Sequence, residues 1–185
     1  MGQLQNVDML FIWNSTNNFY GSEYTSALSV IKQWVEAGGI LIIHDRHVES
    51  AEIILPGGEE FGIFRDFSED TQIQFVDVNG SVALGSPGDS DNLNNSSLDN
   101  GTSSNHGFAL RDTLQEVGAV IILTTNDPDH VVTFGYEWGE GAVVYSSIPL
   151  DFYLSGAGNT SLVQNMTTYA TNLIGAFVNQ GDIFG

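Results

Sequence analysis

The residue types best suited to chemistry follow an apolar run in the first quarter of the chain. The run Ile40–Ile43 leads directly into His44, Asp45 and, two residues later, His47. Asn14 follows an earlier apolar run, and ligands of open α/β sheets gather just outside the carboxyl ends of the strands. Imidazole, carboxylate and amide groups can hold a divalent metal or a small ligand, and a histidine with an orienting carboxylate can act as a general base. These four side chains are therefore the candidate ligand-binding residues, with a purely structural role as the alternative.

A long polar loop in the middle of the chain offers a different chemistry. Residues 85–107 are rich in Ser, Asn, Asp and Gly, and the candidate metal ligands among them are Asp89, Asp91, Asn94 and Asp99. Oxygen ligands of this kind are the ones that calcium prefers, although Leu93 stands where an EF-hand loop has a ligand. A loop with this much negative charge and this little apolar area is costly to order, and a bound cation would offset that cost. We expect calcium here, with a mobile, solvated loop as the alternative.

The composition excludes several classes of partner. The chain has 185 residues with 23 acidic and 4 basic side chains, for a formal net charge of −19. Four scattered cations cannot form a basic patch, so we expect neither nucleic acid nor a membrane as a partner. The absence of cysteine excludes disulfides, thiolate metal sites and a cysteine nucleophile. Because the surface must be rich in Asn, Ser, Thr and Asp but poor in Lys, we expect an extracellular or cell-surface protein, where salt screens the negative charge.

The apolar pattern predicts an α/β domain. Val7–Trp13 and Ile40–Ile43 are short apolar runs typical of buried strands, and an apolar stripe at helical spacing predicts a helix from Ser22 to about residue 37 between them. The other predicted elements are strands at Gln72–Val78, Ala119–Thr124, Val131–Tyr136 and Ala142–Ile148, a short helix at Phe108–Val117 and a C-terminal helix over Leu162–Phe177. We predict one domain over residues 1–185 with a three-layer, flavodoxin-like fold and a mixed, mainly parallel sheet.

Two segments carry a resemblance to a known family. Val7–His44, which contains the run AGGILIIH, and Gly139–Ser147 (GEGAVVYSS) resemble the class I glutamine amidotransferase-like superfamily, and its ThuA-like branch in particular. The resemblance implies the amidotransferase-like fold. It also implies a cysteine at the turn after the first of these segments and a late His-x-Glu pair, and this chain has neither. Glutamine hydrolysis by that mechanism is therefore not expected, whereas His44 fits the ThuA-like branch.

The function expected from these observations is that of a binding or structural module without catalytic activity, part of a larger exported bacterial protein. Its ligand would be calcium, a glycan or a neighbouring domain, and aromatic residues of predicted loops that could contact a glycan are Phe19, Tyr20, Phe152 and Tyr153. The alternative is a ThuA-like hydrolase or sugar-processing enzyme that uses His44 and Asp45, with His106 as a third candidate catalytic residue. The superfamily's first βα unit is not seen before Val7, so we also expect an open sheet edge and a tendency to form a homodimer.

Overall fold

One mixed β-sheet organises the molecule. The computed structural model describes residues 4–85, 92–156 and 159–178. Eight strands make the sheet: β1 (Met9–Asn14), β2 (Ile40–Asp45), β3 (Ile63–Arg65), β4 (Gln74–Phe75), β5 (Gly107–Leu110), β6 (Val120–Thr124), β7 (His130–Trp138) and β8 (Gly141–Ser146). The helices are α1 (Ser22–Glu36), α2 (Ser81–Leu84), α3 (Arg111–Glu116), α4 (Leu150–Leu154) and α5 (Thr160–Val178), with 3₁₀ turns at Ala51–Ile54 and Gly58–Glu60.

The strand order sets which chain segments meet at one edge of the sheet. The order is β1-β2-β8-β7-β5-β3, and β6 pairs with both β7 and β4. Strands β1, β2 and β8 pair in parallel, and the remaining pairings are antiparallel. Taken through these pairings, β1, β2, β5, β6 and β8 run in one direction and β3, β4 and β7 in the other. The predicted mixed, mainly parallel sheet is confirmed in this sense, since most of its strands end at the same edge.

Strand β2 shows how the three layers are built. All six of its residues are buried, as expected for a strand covered on both faces. Ile40 and Ile42 belong to a hydrophobic cluster with residues of α5, whereas Leu41 and Ile43 belong to a second cluster with residues of α1. Because neighbouring side chains of a strand point to opposite faces, the sheet has a helical layer on each side. The predicted three-layer α/β fold is confirmed.

The local predictions are mostly confirmed, with two corrections. The βαβ unit, the late strands and the C-terminal helix lie where the apolar pattern placed them. The predicted helix at Phe108–Val117 is wrong in its first part, because the chain there forms strand β5 and pairs with β3 and β7. The predicted strand at Gln72–Val78 is reduced to the two residues of β4. The neighbouring main chain bonds side chains instead: the Ile73 amide donates to Asp99 and the Phe75 amide to Asn95.

Two surface properties bear on the expected partners. Among the described strands, β1 pairs only with β2, so its outer side is a sheet edge. The predicted homodimer would use this edge, and it stays a prediction. None of the helices within the described ranges combines the length and the apolar character that crossing a bilayer requires.

The glycine that follows the β7–β8 turn provides a test of the packing between layers. A Cβ atom on Gly141 would overlap the carbonyl oxygens of Val35 and Gly39, whereas one on Gly175, inside α5, would meet no heavy atom within 4 Å. We expect Gly141→Ala to lower the free energy of unfolding by about 1–3 kcal/mol because main-chain atoms must move. We expect Gly175→Ala to raise it by about 0.5–1 kcal/mol because alanine favours the helix. Urea unfolding of both variants measures this, and equal effects would contradict the packing described.

Candidate functional site

Strand β2 continues through two of the predicted site residues. The sequence places the strand end at Ile43, but the strand extends to Asp45, and its register pairs Trp13 with His44 and Asn14 with Asp45. Successive side chains of a strand alternate between faces, so His44 and Asp45 point to opposite sides of the sheet. The two residues therefore cannot act as a histidine with its orienting carboxylate.

The Asp45 carboxylate is fully buried and fully hydrogen-bonded. Its Oδ1 accepts hydrogen bonds from the Asn14 side-chain amide at 3.3 Å and from the His47 main-chain amide at 2.9 Å. Its Oδ2 accepts from the hydroxyls of Tyr20 at 2.7 Å and Tyr145 at 3.1 Å. A carboxylate offers about four lone-pair positions, so these donors leave none for a substrate. Asp45 is suited to holding its neighbours in place.

The tyrosines around Asp45 are held in their protonated form. Burial, with the Asp45 charge as the next cause, raises the pKa of Tyr20, Tyr24 and Tyr145 well above the ordinary value. Each hydroxyl therefore acts as a donor: Tyr20 and Tyr145 donate to the carboxylate, and Tyr24 donates to the Ile54 carbonyl oxygen at 2.8 Å.

His47 and Arg65 fasten the loop after β1 to the end of β2. The His47 ring lies edge-on to the Tyr20 ring with 5.0 Å between centroids, and its Nδ1 is 2.9 Å from the Asn17 carbonyl oxygen. The Arg65 guanidinium donates to the carbonyl oxygens of Asn17 at 2.6 Å and His47 at 2.9 Å. The structure thus brings together three of the predicted ligand-binding residues, Asn14, Asp45 and His47, in one network.

An aromatic pocket of about 230 Å³ lies over this network, at the carboxyl ends of β1 and β2. Its aromatic lining is Phe19, Tyr20 and Tyr24, and its polar lining includes Asn14, Thr16 and Glu23. Trp13 also borders the pocket, but its register with His44 places its side chain on the face of Phe11, with 6.0 Å between the two ring centroids. Phe19 is 58% exposed, so part of its ring is open to solvent at this pocket. Tyr20 and Asn14 line the pocket and bond Asp45, which makes the buried carboxylate the support of the pocket wall.

His44 lies on the opposite face and is sequestered there. It is 1% exposed, stacks against Phe11 with 5.4 Å between centroids and meets the Tyr169 ring edge-on at 5.7 Å. Neither ring nitrogen makes a hydrogen bond of acceptable geometry to a described residue. Burial lowers the pKa of His44 to about 3, with the Ile148 main chain acting in the opposite sense. The imidazole is therefore neutral at physiological pH and packs as an aromatic ring.

His106 binds main chain rather than the other candidate residues. Its Nδ1 lies 2.7 Å from the Arg46 carbonyl oxygen, and its ring meets Phe67 edge-on at 5.1 Å. Burial lowers the pKa of His106, and the nearby Arg46 and Arg65 charges add to this shift. The structure does not bring His44, Asp45 and His106 into one convergent set.

The predicted calcium ligands are only partly described. Asp89 and Asp91 lie outside the described residues. Asn94 Oδ1 accepts hydrogen bonds from the Ser96 amide at 3.0 Å and hydroxyl at 2.8 Å, and Asp99 Oδ1 accepts from the Ile73 amide at 2.7 Å. Burial raises the pKa of Asp99. Asn94 and Asp99 thus stabilise turns and main chain where they are described, and calcium binding at this loop stays a prediction.

Sequence reasoning missed several residues of the site. It placed Trp13 at the end of a buried strand, yet Trp13 is the last but one residue of an edge strand and half-exposed. Tyr145 contacts Asp45 across 100 positions of sequence, and no local signal indicates such a pairing. The run Met9–Trp13 is apolar throughout, so no alternation in the sequence marks Trp13 as exposed.

Comparisons with known proteins give fold likenesses only. No protein-family model matches the chain, and no curated protein matches it. A cytoplasmic protein of Salmonella typhimurium is similar at 17% identity with a TM-score of 0.49, over 90% of this chain and 72% of that one. An exo-beta-1,4-mannosidase from Opitutaceae bacterium strain TAV5 has 17% identity and a TM-score of 0.49, over 90% of this chain and 25% of that one. A beta-galactosidase from Rahnella sp. R3 has 15% identity and a TM-score of 0.42, over 96% of this chain and 23% of that one.

The chain spans about a quarter of the two glycosidases. At these identities and scores the likenesses say nothing about activity or substrate. None of the three names the ThuA-like branch, so that resemblance stays a prediction.

A pair of tyrosine substitutions tests the role of the buried carboxylate. We expect Tyr145→Phe to lower the free energy of unfolding by about 1.5–3 kcal/mol, because the hydroxyl bonds a buried charge. Tyr24→Phe is the matched control, since its hydroxyl bonds the neutral Ile54 carbonyl, and we expect a loss of about 1 kcal/mol. Chemical denaturation of both variants measures the difference, and a larger loss for Tyr24→Phe would contradict the assignment.

The pH dependence of stability tests the burial of His44. Its unfolded-state pKa is about 6.5, whereas its folded-state pKa is about 3. Between these values the unfolded chain binds a proton that the folded chain does not, so the contribution of His44 to stability falls as the pH falls. We expect His44→Phe, which keeps the ring stack, to gain about 2–3 kcal/mol relative to the native chain between pH 7 and pH 4.5. Denaturant midpoints across this range measure it, and a pH-independent difference would refute it.

Proposed function

We propose that the chain is a glycan-binding module that holds a neutral sugar in the aromatic pocket without cleaving it. The observation that carries the proposal is the pocket at the carboxyl ends of β1 and β2 that Phe19, Tyr20 and Tyr24 line, with Phe19 58% exposed. The C–H face of a sugar ring packs on such aromatic surfaces, while its hydroxyls bond nearby amide, hydroxyl and carboxylate groups. Asn14, Thr16 and Glu23 supply those polar groups.

The arrangement of acids supports binding rather than hydrolysis. Glycosidases of the usual kind place two carboxyl groups on either side of the bond to be cleaved, roughly 5–10 Å apart. Among the residues that line the pocket, Glu23 is the only one with a carboxyl group. The nearby Asp45 is buried beneath and its oxygens are occupied by four donors. This favours the module without catalytic activity over the ThuA-like hydrolase or sugar-processing enzyme.

The charge of the chain favours a neutral ligand. A formal net charge of −19 repels anionic polysaccharides, and Glu23 places negative charge at the pocket itself. Binding of a neutral glycan should therefore depend little on salt. We propose an extracellular setting within a larger exported protein on the composition alone, since a surface poor in lysine suits a salt-containing medium.

Binding to polysaccharides tests the proposal directly. In affinity electrophoresis and calorimetry with a panel of neutral and acidic polysaccharides, we expect retention by at least one neutral member and none by uronate-containing ones. Phe19→Ala should weaken binding by about tenfold or more, since it removes a stacking face worth about 1.4 kcal/mol or more. Phe64→Ala is the matched control, because Phe64 is 50% exposed on β3, away from the pocket, and it should bind as the native chain does.

Two outcomes would overturn this function. Binding that survives Phe19→Ala would place the ligand elsewhere on the chain, and no binding to any polysaccharide of the panel would refute the glycan proposal. Release of reducing sugar from a bound polysaccharide by the native chain would favour the enzymatic alternative.

A further inference from the structure

A second group of ligating side chains lies at the same edge of the sheet as the aromatic pocket. Strand β6 runs in the direction of β1 and β2, so the turn between β6 and β7 stands at that edge. Asp127 and His130 belong to this turn and the start of β7, and Glu69 comes from the segment between β3 and β4. One ligand atom from each of the three residues lies within 4.8 Å of the other two.

We propose that Glu69, Asp127 and His130 bind a divalent transition-metal ion of the zinc class. The ligand set is one imidazole with two carboxylates, and imidazole favours zinc and its neighbours over calcium and magnesium, which take oxygen ligands. Two donors of a tetrahedral ion at about 2 Å stand about 3.3 Å apart. His130 Nδ1 and Glu69 Oε2 are 3.1 Å apart, and His130 Nε2 and Asp127 Oδ2 are 3.9 Å apart. These two distances involve different nitrogens of the ring, and only one of them can bind a given ion. With one ligand atom from each residue the three atoms lie within 4.8 Å of one another, so one carboxylate side chain must rotate toward the ring nitrogen that binds the ion.

The imidazole is held in place by packing outside the group of ligands. The His130 ring stacks on the Phe108 ring with 3.7 Å between centroids and 9° between planes. His130 also pairs with Leu110 at the start of β7, and the Thr125 hydroxyl donates to the Glu69 carboxylate. Fixed ligands lose little freedom when an ion binds, and partners of the first ligands orient them. These contacts distinguish the group from mobile surface acids.

The site is open to solvent and lies in a negative field. The side chains of Glu69, Asp127 and His130 are 33%, 44% and 26% exposed, so an ion can reach them and keep water in its remaining positions. The formal net charge of −19 raises the local concentration of cations. The site differs in residues and in expected metal from the calcium loop predicted from sequence, and it does not depend on the proposed glycan pocket.

Titration of the metal-stripped chain with zinc chloride tests the inference. By calorimetry in a non-chelating buffer, we expect one equivalent of Zn²⁺ to bind at least tenfold more tightly than Ca²⁺ at this site, and to raise the melting temperature. Asp127→Asn, Glu69→Gln and His130→Phe should each weaken this binding by about tenfold or more. Asp129→Asn is the matched control, because it removes the same charge from the same turn outside the group of ligands, and it should change the affinity by less than about twofold.

Each outcome decides the matter. His130→Phe keeps the aromatic stack on Phe108. The melting temperature of each metal-free variant shows whether it is folded. If His130→Phe does not fold, the two carboxylate variants provide the test. Equal losses in Asp127→Asn and Asp129→Asn would mean that the turn attracts cations through charge alone and would refute the site. Zinc binding unchanged by all three substitutions, or no saturable binding, would also refute it, and neither result would touch the glycan proposal.

Discussion

Strand β2 lies between β1 and β8 and is buried on both faces from Ile40 to Asp45. The side chains of a strand in this position alternate between two helical layers, and in β2 this alternation continues to its last residue, Asp45. His44 therefore enters the layer of α5, and Asp45 enters the layer of α1. The rest of the site follows from this one constraint, because an imidazole and a carboxylate that neighbour each other in sequence must find separate partners.

Asp45 and His44 avoid the free-energy cost of an unpaired buried charge in different ways. An unpaired charge in the interior is far too costly to keep, so Asp45 accepts hydrogen bonds from the end of β1, from the loop after β1, from the turn after β2 and from β8. Each donor belongs to a different segment, so the carboxylate ties these segments together and fixes the wall of the aromatic pocket. His44 instead remains neutral, and its ring contacts Phe11 and Tyr169 as an apolar ring would.

Sequence patterns predicted the layers and the first βαβ unit because apolar periodicity records burial directly. They misjudged the end of β2, since His44 and Asp45 are polar residues typical of a loop and only distant partners make their burial possible. Tyr20 and Tyr145 stand 25 and 100 positions from Asp45, and Glu69 stands 61 positions from His130. Asn14 and His47 were placed correctly because parallel strands deliver their carboxyl ends to one edge of the sheet. Clusters that form between separate loops at that edge have no local signature.

The protonation states of the buried groups bear on why this edge of the sheet suits recognition. General acid–base chemistry needs a group whose pKa lies near the working pH and which can reach the substrate. Burial moves the pKa of His44 and of His106 downward, away from that range, and it moves the pKa of Tyr20 and Tyr145 upward. Near neutral pH these side chains keep one protonation state and offer fixed donors, acceptors and ring faces. Such a surface can select a ligand by shape and hydrogen bonding. Proton transfer to or from a ligand would require a group whose pKa burial has not shifted away from the working pH.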